Sequence, residues 1–193
     1  TPTRPLSIEA DPGVDLMRCL DMVEIPPTVN DLRASQNRLV VVTSAKGEKF
    51  LRASADLLRG LQWQEVKIIT EAELTNDLSD NHDLIYFGWP QQQLVGMEIP
   101  KALQLSAEAG FKIDEESYQG IDDVLFVTLR RGKHVIGILT ARTAAAAEDV
   151  ARRIPHYGRY SYLVFSSGKN QLKGTWPATD SPLNITFDEE TQQ

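Results

Sequence analysis

The sequence predicts an α/β protein: an open three-layer sandwich with a mostly parallel, mixed sheet, Rossmann-like or flavodoxin-like. Three observations predict it. Short apolar runs rich in β-branched residues, at 38–43 (RLVVVT), 83–88 (DLIYFG) and 134–139 (HVIGIL), read as buried strands between helical patterns. The stretch 133–166 reads strand, turn, helix, strand, and a βαβ unit of that kind implies parallel strands joined by a right-handed crossover. Finally, the run 124–129 (VLFVTL) reaches His134 through Arg130-Arg131-Gly132-Lys133, a connection short enough for an antiparallel hairpin, which makes the sheet mixed.

A chain of 193 residues suits one α/β domain with extensions, and a hydrophobic content of 41% can fill its core. The expected division is a proline-rich amino-terminal arm over 1–37, the α/β domain over 38–168, and a carboxy-terminal extension over 169–193 that packs on the domain and is disordered at its end. The arm is interrupted by Pro2, Pro5, Pro12, Pro26 and Pro27, with a helical turn at 16–20 and an extended run at 25–29. Its Leu16, Met17, Leu20, Met22, Val23 and Ile25 are too apolar for a solvated linker. A start at Thr1 without Met reads as a piece of a longer protein.

Within the domain, residues 44–48 turn from the first strand into a helix. Phe50, Leu57, Leu58 and Leu61 share one side of that helix. A second strand is expected over 65–69, and Gln91 to Met97 reads as a short helix limited by Pro100. Phe111-Lys112-Ile113 alternates as a strand does. In the 133–166 unit Thr143 can cap the helix, Ala144 to Ala147 favour it, Val150 and Ile154 continue its apolar face, and Pro155 ends it.

Charge and motifs exclude several functions. A net charge of -7 argues against a nucleic-acid surface, which needs clustered Lys and Arg. Cys19 is the lone cysteine, so no intramolecular disulfide forms. No apolar run is long enough to span a bilayer. His82, His134 and His156 lack metal-ligand spacing, and Ser44, Ser166 and Ser167 lie in no G-x-S-x-G elbow. No catalytic residue is assigned.

Two sets of residues remain. In an open α/β sheet, ligands bind beyond the carboxyl ends of the strands. Ser44, Lys46, Trp89, Arg142 and Thr143 occupy three such loops and are the ligand-binding candidates, although ordinary turn and cap chemistry accounts for the same residues. Leu16 and Leu20 of the arm, with Tyr157 and Tyr160 of the tyrosine-rich connection, are the interface candidates, since apolar and aromatic side chains are favoured at protein contacts.

Three words in the chain, Glu24–Leu32 (EIPPTVNDL), Ile154–Phe165 (IPHYGRYSYLVF) and Leu172–Leu183 (LKGTWPATDSPL), resemble the carboxy-terminal accessory region of bacterial proteins related to gluzincin-type zinc aminopeptidases, the membrane alanyl aminopeptidase-like proteins. The resemblance extends over about Glu24 to Phe187. The zinc signature of that family is absent from this segment, so its metal ligands and catalytic glutamate transfer to no residue here. The resemblance implies a non-catalytic accessory or interaction domain of a metallopeptidase-like protein, exported or membrane-associated. Its partner would be the preceding domain of the same polypeptide, with no nucleic acid involved and no cofactor in this segment. Any zinc would sit in the parent protein, and an isolated fragment could dimerise. The alternative expectation is a small-ligand-binding module that uses the strand-end loops.

Overall fold

The structure is a computed structural model that describes residues 5–13, 15–43, 45–90, 96–106, 110–178 and 181–187; the side chains of residues 45 and 46 fall outside that description. The expected helix at Gln91 to Met97 and the expected disorder at 188–193 fall largely or wholly outside it. The chain forms two compact units, one made of Thr1–Pro26 with Pro177–Gln193, the other of Pro27–Trp176. The first strand, β1 (Ser7–Glu9), belongs to the smaller unit.

The larger unit begins with α1 (Val29–Ala34), where the Thr28 amide and hydroxyl both donate to the Asp31 carboxylate at 2.7 and 2.8 Å. The apolar run at 38 forms β2 (Arg38–Val42). The single helix expected next is divided into α2 (Ala45–Ala53) and α3 (Ala55–Gly60), with the break at buried Ser54. Phe50 of α2 and Leu57 of α3 enter the same core cluster. Then come β3 (Lys67–Thr70), α4 (Asn76–Asn81) and β4 (Asp83–Phe87). A meander follows, made of β5 (Leu103–Ser106), β6 (Gly110–Ile113) and β7 (Glu116–Tyr118). The hairpin is β8 (Val124–Arg131) and β9 (His134–Ala141), with Gly132 at φ +55° in its turn. The last elements are α5 (Ala144–Ala151), β10 (Tyr162–Ser166) and β11 (Lys169–Gly174).

Seven strands form one mixed sheet in the order β11-β10-β8-β9-β4-β2-β3, and β5-β6-β7 form a separate small sheet. The β3-β2-β4-β9 half is parallel, with Val41 opposite Tyr86 and Tyr86 opposite Ile138. The β9-β8-β10-β11 half is antiparallel. The expectation of a mostly parallel sheet is therefore corrected: three of the six pairings in the seven-stranded sheet are antiparallel, and with the smaller sheets six of the nine pairings among the described residues are. The cause lies in the β9–α5–β10 unit. β9 and β10 do run in the same direction, but β8 lies between them and pairs antiparallel with both.

Successive residues of a strand point to opposite faces, and here both faces are buried, which is why the central strands read as unbroken apolar runs. Val40, Ile85, Phe126, Leu139 and Phe165 pack with Leu32, Phe50, Leu57, Ala147 and Val150 of the helices. Val41, Tyr86, Val127, Ile138 and Val164 pack with Leu103, Phe111 and Ile113 of the small sheet, and with Leu74 and Trp176. The Trp176 indole donates to the Thr128 carbonyl at 2.8 Å. No helix among the described residues is long and apolar enough to cross a membrane.

In the smaller unit, β1 pairs antiparallel with the last strand, β12 (Asn184–Thr186), with Ile8 opposite Ile185. Two flanking bonds extend the ladder, Ala10 N to Leu183 O at 3.0 Å and Phe187 N to Leu6 O at 2.9 Å. A single 3-10 turn, Met22–Glu24, is capped by Asp21.

Candidate functional surfaces

The strand-end loops come first, because sheet topology positions them. β2, β4 and β9 are adjacent and parallel, so their carboxyl ends lie side by side. Thr43 N donates to Phe87 O at 3.2 Å, and Gly88 N donates to Leu139 O at 3.0 Å, which carries the lateral pairing one step past the strands. The backbones are close here. Gly88 has φ +103°, and a Cβ on it would lie 2.5 Å from the Thr43 hydroxyl oxygen; a Cβ on Gly47 would run into the Phe87 carbonyl. Trp89 turns inward, buried, with its ring 6.4 Å from that of Phe111. Arg142 is exposed. Thr143 caps α5, its hydroxyl accepting from Ala146 N at 3.2 Å. Ser44 and the Lys46 side chain lie outside the described residues.

At the opposite ends of the same strands Asp83 joins three segments. One carboxylate oxygen accepts from the Ser35 hydroxyl at 2.6 Å. The other accepts from Val135 N at 2.8 Å and faces His134 Nδ1 at 3.2 Å. The serine is thus bonded to the acid and not to the imidazole, which is the wrong order for nucleophile activation. The arrangement ties the end of α1 to the starts of β4 and β9. Among the described residues no cluster of three or more His, Cys, Asp or Glu side chains forms a metal-binding group.

The smaller unit is held by polar contacts. Arg18 donates both terminal nitrogens to Glu24, at 2.8 and 2.7 Å, and its Nε to Asp11 at 3.1 Å. Asp21 N and the Ser181 hydroxyl also donate to Glu24, at 2.9 and 2.6 Å. The apolar side chains remain over. Leu6, Ile8, Leu16, Met17, Met22, Val23, Ile25 and Ile185 are all exposed, and they make up most of the exposed large hydrophobics among the described residues. Leu16 is 67% accessible, whereas Leu20 is half-buried.

In the larger unit the tyrosine-rich connection lines a cleft of about 580 Å³. Residues 154–157 form a 3-10 turn started by Pro155, and α1 lies against the segment, Asn30 N donating to Gly158 O at 2.9 Å and Val29 N to Tyr160 O at 3.0 Å. The Tyr157 and Tyr160 rings are 6.1 Å apart. The Lys173 ammonium of β11 lies 5.5 and 5.3 Å from their centroids. Arg33 is fixed by its bonds to the Pro155 carbonyl at 2.6 Å and Asn30 Oδ1 at 3.2 Å. Arg159 is exposed and belongs to none of the ion pairs among the described residues. The lining thus carries Arg33, Arg159 and Lys173 with His156, and no carboxylate.

Tyr157 and Tyr160 are therefore brought together, and Trp89, Arg142 and Thr143 sit at neighbouring strand ends with their side chains in separate roles. Sequence reasoning missed Asn30, Arg33 and Lys173. Arg33 meets Pro155 across 122 positions, and no local pattern signals such a contact. Searches against protein-family models and curated proteins find no match for the chain.

Proposed function

We propose that this chain is a non-catalytic interaction domain whose contact surface is formed by the exposed apolar side chains of the unit built from the amino-terminal arm and the tail. Its partner in this reading is a peptidase-like domain of the same polypeptide, as the resemblance of Glu24–Leu32, Ile154–Phe165 and Leu172–Leu183 implies, and any zinc belongs to that domain. The observation that carries the reading is the set of exposed side chains Leu6, Ile8, Leu16, Met17, Met22 and Ile185 on one small unit. Large apolar side chains left exposed in one part of a chain point to a contact site. The unit uses backbone ladders and ion pairs for its own cohesion, so these side chains are left available.

The test is isothermal titration of this chain with the polypeptide encoded immediately upstream, repeated with Leu16→Asp, Met17→Asp and Tyr160→Ala. Association lost in the two arm variants supports the proposal. Absence of association, or association unchanged by the arm variants, refutes it. Self-association abolished by the same variants assigns the surface to a second copy instead.

A second reading is a small-ligand module at the strand ends, favoured by the adjacent carboxyl ends of β2, β4 and β9. The order β3-β2-β4-β9 suits the flavodoxin-like half of an open three-layer fold, where ligands take that position. Loss of ligand binding in Arg142→Gln, with the fold retained, is the corresponding test.

A further inference from the structure

We propose that the cleft at the tyrosine-rich connection is a docking site for an acidic polypeptide segment, one presenting glutamate or aspartate side chains. This does not depend on the apolar surface of the arm, which lies in the other unit.

The argument begins with charge. The chain carries a net charge of -7, yet this cleft gathers Arg33, Arg159 and Lys173, with His156, and no carboxylate lines it. A positive concavity on an acidic protein concentrates field on whatever fits inside it. The chain's net charge of -7 works against a long polyanion, so a nucleic acid or an anionic bilayer is disfavoured and a short anionic segment is admitted.

Geometry narrows the class. Arg33 is oriented by the Pro155 carbonyl and Asn30, so its charge is held in place by α1. Lys173 stands over two tyrosine rings, and Arg159 is exposed beside them. A guanidinium and an ammonium flanking an aromatic floor suit an anion that also has an apolar stem. A glutamate side chain meets this description: its carboxylate reaches the cations while its methylenes pack beside the rings. A volume of about 580 Å³ holds several side chains of a segment, far more than one small ion requires. Acidic-motif recognition by clustered cations is an established mode of peptide binding.

The experiment is an NMR titration of the full chain at low salt with an end-blocked hexapeptide rich in glutamate, its glutamine counterpart, free glutamate and inorganic phosphate. The acidic peptide is expected to shift the resonances of residues 156–160 and 173, and the glutamine peptide is not. Arg159→Gln and Lys173→Gln are each expected to weaken binding about tenfold, and raising the salt to weaken it further. Tyr160→Leu, which keeps the charges, is expected to weaken binding about threefold through the lost ring contact. Arg159 is exposed and held by no ion pair among the described residues, so its variant reads binding even if Lys173→Gln disturbs β11. No shift with the acidic peptide, equal binding of the glutamine peptide, or binding of phosphate or free glutamate as tight as the peptide overturns the proposal. The last outcome would mark a free-anion site.

Discussion

Glu24 and Ser181 stand 157 positions apart in the chain and are hydrogen-bonded, the hydroxyl donating to the carboxylate at 2.6 Å. The same carboxylate holds Arg18, so one acidic group connects the amino-terminal arm to the tail. The bonds from Arg18 first, then those from Ser181 and Asp21, pull the Glu24 carboxyl from 4.5 down to about 2. A depressed carboxyl contributes stability that is complete above its unfolded value and is lost as pH falls through the folded one. Amide protection of residues 7–9 and 184–186 is therefore expected to persist at pH 5 and to fall as pH drops from about 4.5 toward 2. Hydrogen exchange across that window checks it. In Glu24→Gln the acid-dependent step is expected to shrink to the part due to Asp11, which also pairs with Arg18; an unchanged step would assign it to another group.

Gly88 and Gly132 both have positive φ, at +103° and +55°, but only one has room for a side chain. A Cβ on Gly132 would meet nothing within 4 Å, whereas one on Gly88 would lie 2.5 Å from the Thr43 hydroxyl. Gly132→Ala is expected to cost about 1 kcal/mol, the left-handed strain alone. Gly88→Ala adds overpacking and is expected to cost about 2–4 kcal/mol. Urea unfolding of the two variants measures the difference, and equal costs would show that the strand-end contact gives way freely.

Much of the fold was legible because central strands must be apolar on both faces. The runs at 38–42, 83–87, 124–131 and 134–141 announce themselves, as does the short turn at Gly132. β11 did not, since Lys169 to Gly174 lies at the sheet edge, with alternate positions exposed, and carries a mostly polar sequence. The position of β8 between β9 and β10 was also hidden, because a strand's pattern reports burial and not which neighbour it pairs with. The cleft was half legible. Tyr157, Arg159 and Tyr160 share one segment, while Asn30, Arg33 and Lys173 arrive through tertiary packing of α1 and β11.

Trp176 closes one end of the second core cluster, with its ring 4.4 Å from Tyr162 and its indole nitrogen bonded to Thr128 O. Trp176→Ala removes a buried aromatic and a hydrogen bond, and is expected to destabilise the larger unit by about 3–5 kcal/mol. Trp176→Phe keeps most of the packing and is expected to cost less, about 1–2 kcal/mol. Denaturant midpoints of the pair separate packing from hydrogen bonding.

Asp83 serves Ser35, Val135 and His134 at once. Asp83→Ala leaves buried polar groups on three segments without their acceptor and is expected to cost about 3 kcal/mol. Ser35→Ala removes one bond and is expected to cost about 1 kcal/mol. Chemical unfolding of both checks the ratio, and comparable losses would show that the network gives Asp83 no special weight.

The placement of β8 between β9 and β10 also bears on the order in which the chain folds. The β8–β9 hairpin closes through a turn at Gly132, and such hairpins form in about 1–10 μs. Pairing of β4 with β9 must close a far longer loop, as the Tyr86–Ile138 register shows, and non-local pairing of that kind is slow. β10 can pair with β11 through a short hairpin of its own, but it reaches the sheet centre only through β8. The hairpin is thus the template on which the antiparallel half assembles, and the parallel half docks on its β9 edge. Pulse-labelled amides of 124–141 should gain protection before those of 38–42 and 83–87.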